Sequence, residues 1–216
     1  MKNSNLKVAV IGLGNIGKVV ASNLVKGNRE VILADRDYNK AKNLAEKLGD
    51  FAKPFEIADA IKSADILVLA VYFASIKEIF TQYATELQGK IIVDPSNPIA
   101  PDENGGFKKI IGQHESSGQI LSTLLPKNAK LAKALGTLGA ASLEQEAFGD
   151  PKKVQFYATD DKTINSEIET LIKDNGFEPV YLGGLDQSIN IEVFGELHEF
   201  GALGKTITLE ESTVKI

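Results

Sequence analysis

The sequence contains no cysteine. Disulfides, thiolate nucleophiles, zinc–thiolate centres and iron–sulfur clusters are therefore excluded. Histidine is scarce, with two in the chain, His114 and His198. A Ser/His/Asp order, a His-Glu-x-x-His motif and a well-set pair of carboxylates are missing, which removes the common hydrolytic designs. Positive charge is not in excess. The formal net charge is −5, so the broad basic footprint of a nucleic-acid binder is absent. Long apolar runs are missing too. The most apolar stretch, "ILVLAV" at 66–71, is far short of the ~20 residues that span a bilayer. The first residues pass from polar directly into a glycine-punctuated strand pattern, without the apolar stretch of a secretory leader. Together these readings lead us to expect a cytoplasmic protein with no membrane or nucleic-acid partner and no metal site.

What is present is an ordinary globular composition, 43% apolar and 25% charged, in a chain long enough to bury a core and close a cleft. β-Branched runs alternate with helical patterns. Strands are expected over 7–12, 30–35, 65–71 and 90–95, with helices over 15–26, 38–48 and 75–87. Continuous apolar strands separated by helices indicate a parallel sheet covered on both faces. The Pro-, Gly- and Asp-rich stretch 94–109 reads as a loop. After it come a helix over 116–125, a segment 129–139 of ambiguous period, a strand over 154–159, a helix over 163–174 and a strand over 178–183. A long final helix is expected from about Asp186 to Gly201. The expected class is α/β, a doubly wound parallel sheet of the Rossmann, NAD(P)-binding type with a small C-terminal β-α-β-α extension. Residues 1–125 would form the dinucleotide-binding domain. Residues 126–216 would form the extension that completes the sheet and the acceptor cleft.

The stretch "VAVIGLGNIGKVVASNL" carries Gly12-x-Gly14-x-x-Gly17 between an expected strand and an expected helix. Gly12 suits a tight turn, Gly14 lets backbone approach a pyrophosphate, and Gly17 lets helix pack on strand. The helix N-terminus would face the anion. The bland alternative is a glycine-rich β–α turn without a ligand. An acid that reads the ribose is expected about 20 residues on, at the end of the second strand, and Asp35 falls there. It stands beside Arg36, with Lys40 one helical turn later. The acid suits a bare ribose diol, and the two bases suit a 2′-phosphate. Asp35 or Asp37 could instead simply cap the following helix. Two positive charges against one negative favour NADP(H), with NAD(H) still usable. Val71, Tyr72 and Phe73 would leave the fourth strand at the crevice, where they could cover a nicotinamide ring or, equally, serve as core aromatics. Ser96 and Asn97 could reach the nicotinamide ribose, or be plain turn residues.

These blocks, with "DPSNP" and the closing "DNGFEPVYLGGLDQSINIE", resemble the deazaflavin (coenzyme F-420)-dependent NADP oxidoreductase family and its relatives, the cytosolic reductase domains of the STEAP metalloreductases. The resemblance covers about residues 7–195. It implies that Gly12, Leu13, Gly14, Asn15, Ile16 and Gly17 wrap the pyrophosphate, and that Arg36 and Lys40 hold the 2′-phosphate. It places Val71 to Phe73, Asn97 and Pro98 along the nicotinamide, and Thr137 and Leu138 on the acceptor side. The family often has Ser, Thr or Asn where this chain has Asp35, and some members have His near Gly136-Thr137.

The expected activity is hydride transfer between NAD(P)H and a flavin- or deazaflavin-like acceptor, a small molecule, with no side chain identified as an acid or base. Two other readings stay open. One is a non-catalytic NADP(H)-binding redox sensor. The other is a reductase of a small ketone or imine, which needs a proton donor such as Tyr72. Apolar residues near the C-terminus, among them Ile191, Val193, Phe194 and Leu197, could pair two subunits or pack on the sheet.

Overall fold

A computed structural model describes residues 6–213. Strand β1 (Val8–Ile11) is buried at all four positions, and the turn after it leads into helix α1 (Asn15–Lys26). Then follow β2 (Val31–Ala34), α2 (Tyr38–Leu48), β3 (Ala52–Pro54), α3 (Ile57–Ser63), β4 (Ile66–Leu69) and α4 (Phe73–Gln82). Next come β5 (Ile91–Asp94), the antiparallel hairpin β6 (Ile99–Pro101) and β7 (Phe107–Lys109), α5 (Ser117–Ser122) and β8 (Lys130–Lys133). The chain closes with α6 (Ala140–Gln145), β9 (Val154–Thr159), α7 (Asn165–Asp174), β10 (Glu178–Tyr181), a 3-10 turn over Leu185–Asn190 and α8 (Leu209–Ser212).

Eight strands form one sheet in the order β10-β9-β8-β5-β4-β1-β2-β3. Every join is parallel except β8 with β9. The result is a Rossmann-type sheet whose last three strands continue it beyond β5. β1, β4 and β9 are buried along their whole length, as strands covered by helices on both faces must be. Order reverses between β1 and β4, so the crevice outside their carboxyl ends is the switch point at which ligands bind such sheets. Among the described residues no helix is long and apolar enough to cross a membrane.

The long final helix expected over 186–201 is absent. After the 3-10 turn the chain runs through irregular turns instead. Val193 N–H donates to the Asn97 side chain, Leu197 N–H reaches back to the Asn190 carbonyl, and Phe194 adopts φ 73°, which breaks any helical ladder. Tertiary partners for these amides outweigh the apolar spacing that suggested a helix. The segment 94–109, read as loop, carries the β6–β7 hairpin.

One buried polar cluster joins the extension to the nucleotide half. Lys133 Nζ, at the end of β8, donates to Asp94 Oδ2 (2.9 Å), the Ser96 carbonyl (2.6 Å) and Ser117 Oγ (3.0 Å). Glu192 accepts from Ser117 N and Oγ, Gly118 N and Ser188 Oγ. Lys133, Asp94, Ser117, Ser188 and Glu192 are all nearly inaccessible to solvent. A buried ammonium removed from its carboxylate leaves an uncompensated charge. Lys133→Met is expected to lower unfolding free energy by about 3–5 kcal/mol, measured by urea titration. A change within the noise would show that the cluster contributes no net stability.

Candidate functional site

The glycine turn is held from three sides. Gly12 has φ 89°, and a Cβ there would lie 2.5 Å from the Ala70 carbonyl oxygen. A Cβ on Gly17 would lie 1.8 Å from the Gly12 carbonyl oxygen. These two glycines are demanded by the protein's own packing. Gly14 differs: its φ is −75°, and a Cβ there would meet nothing within 4 Å. Its openness faces outward at the N-terminus of the twelve-residue α1, where the first amides, Asn15, Ile16 and Gly17, have no carbonyl one turn back. Gly14 and Asn15 are exposed, Ile16 half-buried, and Leu13 packs into the core. This is the space a pyrophosphate needs, so the residues present fit a dinucleotide.

Asp35 is turned inward. Its Oδ2 accepts from Leu13 N (2.7 Å) and its Oδ1 from Asp37 N (3.0 Å). Oδ2 therefore ties the end of β2 to the glycine turn, Oδ1 closes a local turn toward α2, and the residue is 7% exposed. Asp37 caps α2 by accepting from Asn39 N. Arg36 and Lys40 are exposed and, among the described residues, their side chains make no hydrogen bond or ion pair. The contest between acid and bases thus resolves into separate roles. The acid braces the loop, and the two cations stand free beside it.

The other wall divides likewise. Tyr72 is 82% exposed at the N-cap of α4, while Phe73 is turned into the core with Ile76 and Phe80. Phe73 is therefore withdrawn from the crevice rim, where the exposed Tyr72 and the half-buried Val71 remain. Asn97 is a bridge: Nδ2 donates to the Gly136 carbonyl (3.3 Å) and Oδ1 accepts from Val193 N (2.7 Å). Pro98 beside it is buried. Thr137 is buried as well and donates to Gln155 Oε1 (2.6 Å), so its hydroxyl is spent within the fold rather than offered to an acceptor. Leu138 is buried.

Several residues that shape this rim were not marked in the sequence. Glu199 accepts from Gly139 N (2.7 Å) and from the Ser142 hydroxyl. His198, buried rather than on a helix, contacts the Gly136 carbonyl through Nε2 (3.1 Å) and accepts from Phe200 N through Nδ1 (2.9 Å). The Phe200 amide can only donate to Nδ1, which places the ring's proton on Nε2, facing Gly136. Segment 192–200 is thus strapped over the exit loops of β5 and β8. A cavity of about 760 Å³ lies elsewhere, at the opposite ends of the strands, lined by Lys7, Arg29, Glu30 and Lys53 among others. It contains none of the loop glycines, and switch-point chemistry belongs at the other edge.

A family model described as NADP oxidoreductase coenzyme F420-dependent matches residues 7–98. The F420-dependent NADP reductase of Methanothermobacter thermautotrophicus is 26% identical over 199 residues, covering 87% of this chain and 85% of the reductase. The chain resembles the coenzyme F420-dependent NADP oxidoreductases. Metalloreductase STEAP3 of Rattus norvegicus is 24% identical over 186 residues, 86% of this chain, but the chain spans only 36% of its length. Among solved structures, a hypothetical protein from Sinorhizobium meliloti superposes with TM-score 0.81 at 29% identity, over 96% of this chain and 97% of its own. The family model thus covers the first part of the chain, and the Methanothermobacter reductase matches most of both chains.

Two outcomes are expected here. Gly14→Val should fold with an unchanged melting temperature and lose dinucleotide binding in calorimetry, whereas Gly17→Ala should lower the melting temperature by several degrees because its methyl meets backbone. A Gly14→Val protein that binds dinucleotide normally would place the cofactor elsewhere. The second concerns His198, which burial, aided by the nearby Lys133 charge, pushes down from 6.5 to about 4 against the Gly136 and Glu199 contacts. The fold therefore favours the neutral ring. The unfolded chain takes up the proton below about 6.5 and the folded chain only below about 4, so stability is full above 6.5 and lost as pH falls between them. Melting temperature should fall more steeply from pH 7 to 5 in wild type than in His198→Gln; equal slopes would contradict this.

Proposed function

We propose that this chain is an NADP(H)-dependent oxidoreductase that passes a hydride between nicotinamide and a flavin- or deazaflavin-like acceptor. The observation that carries the reading is Gly14, a glycine the protein's packing does not require, standing open at the start of α1. The free cations of Arg36 and Lys40 outside β2 support NADP(H), and the inward turn of Asp35 removes the acid's repulsion from that edge only in part, so NAD(H) stays usable. A bound nicotinamide dinucleotide supplies the hydride, and hydride transfer needs no side-chain acid, base or nucleophile. The chain's part is holding and orientation. First-turn amides hold the anion, Asp35 fixes the loop, and Val71, Tyr72 and the 95–98 loop border the ring's side of the crevice. The similarity to F420-dependent NADP reductases supports a deazaflavin-like acceptor, and its reach over most of the chain supports a compact enzyme acting on a small molecule.

The cofactor half of this reading is tested by paired affinities. A charge-assisted contact to phosphate contributes about 1.5–3 kcal/mol, so Arg36→Ala should weaken NADPH roughly tenfold or more while leaving NADH within about twofold. Wild-type protein that prefers NADH, with Arg36→Ala changing neither affinity, would contradict it.

A further inference from the structure

Five described non-glycine residues have a left-handed backbone: Asn28, Asn128, Leu135, Phe148 and Phe194. Asparagine tolerates that conformation, but for bulky side chains it is unfavourable and persists only where the surroundings impose it. Phe148 belongs to a structural contact, its amide donating to the Gly176 carbonyl and its ring lying under Lys26. Leu135 and Phe194 belong together. Asn97 Nδ2 donates to Gly136, the residue after Leu135, and Asn97 Oδ1 accepts from Val193, the residue before Phe194. One side chain from the exit loop of β5 thus holds both strained positions at the carboxyl ends of β5 and β8.

The two differ in what the strain yields. Leu135 is fully buried, so its side chain contributes to the core. Phe194 is 52% exposed. An apolar ring kept in water by an unfavourable backbone does nothing for stability, and the same strap fixes its place through Glu192, His198 and Glu199. Val193, the residue before it, donates to Asn97, which sets the backbone of this segment beside the exit loop of β5.

We propose that Phe194 is a specificity-determining residue that stacks against a flat heteroaromatic hydride acceptor at the rim of β5 and β8. Aromatic faces bind flat ring systems by offset stacking and tolerate substituents around the ring. The proposal rests on the hydride-transfer reading above, and it adds the residue that would select a ring acceptor over a small keto acid.

The test uses riboflavin as probe on NADP⁺-saturated protein, read by quenching of flavin fluorescence. Phe194→Gly should weaken riboflavin about tenfold or more, leave NADPH affinity unchanged, and hold or raise the melting temperature, because glycine relieves the left-handed backbone. Phe194→Asn, which also tolerates that backbone, should behave the same way. Riboflavin binding unchanged in both variants overturns the proposal and leaves the function reading standing. Wild-type protein that does not bind riboflavin overturns it too, and NADPH calorimetry on that sample shows whether the nucleotide reading fails with it. A joint fall in melting temperature and NADPH affinity in both variants would make Phe194 structural and would equally overturn the proposal.

Discussion

The structure depends on a contact with no room in it. A single methyl on Gly17 would sit 1.8 Å from the Gly12 carbonyl oxygen, so α1 can meet β1 at this angle only if residue 17 is glycine. That approach aims the first amides of α1 past the end of the sheet. Asp35 then locks the turn from the next strand by accepting the Leu13 amide. The far end of α1 is held by the extension: Asn23 donates to the Leu143 carbonyl and Asn175 donates to the Val20 carbonyl. A helix fixed at both ends is a rigid source of positive potential, which is what anion recognition without reorganisation needs.

The rest of the crevice is built by polar side chains that join distant segments. Lys133 and Glu192 bind β5, β8, α5 and the 3-10 turn through a shared hydroxyl, Ser117. Asn97, His198 and Glu199 then strap 192–200 to the loop after β8. Each of these groups is satisfied inside the fold, which suits a role in holding loops. Among the groups left open are a gap at Gly14, the cations of Arg36 and Lys40, and the rings of Tyr72, Phe194 and Phe200. Under the proposed function, the cations would meet a phosphate-rich ligand and the exposed rings a flat one.

How much was legible in the sequence follows from how local the causes are. Strands β1, β2, β4 and β5 were readable because burial on both faces leaves continuous apolar runs. The glycine turn was readable because its three constraints fall within six residues. β3 was not, since a three-residue edge strand of Ala, Lys and Pro has no period. The β6–β7 hairpin hid in a stretch whose prolines and glycines signal a loop. The expected final helix failed because its amides find partners elsewhere, Asn97 among them, 96 residues away. The same distance concealed the polar cluster: Lys133 meets Asp94 across 39 residues and Glu192 meets Ser117 across 75. A lysine inside the apolar run "KLAKALG" was the one local sign of it. Asp35 was placed correctly at the end of its strand, but whether it faces ligand or loop is decided by the Leu13 amide, which sequence spacing does not show.

The central claim is that the open glycine turn and the aromatic rim serve one hydride transfer. Absorbance at 340 nm, followed anaerobically with NADPH and riboflavin, tests it most directly. The account predicts steady, enzyme-dependent loss of NADPH matched by bleaching of the flavin, and no comparable loss when a 2-keto acid replaces riboflavin. NADPH that binds yet is not consumed with any flavin would contradict the account and leave a nucleotide sensor; faster consumption with the keto acid would leave a reductase of small carbonyls.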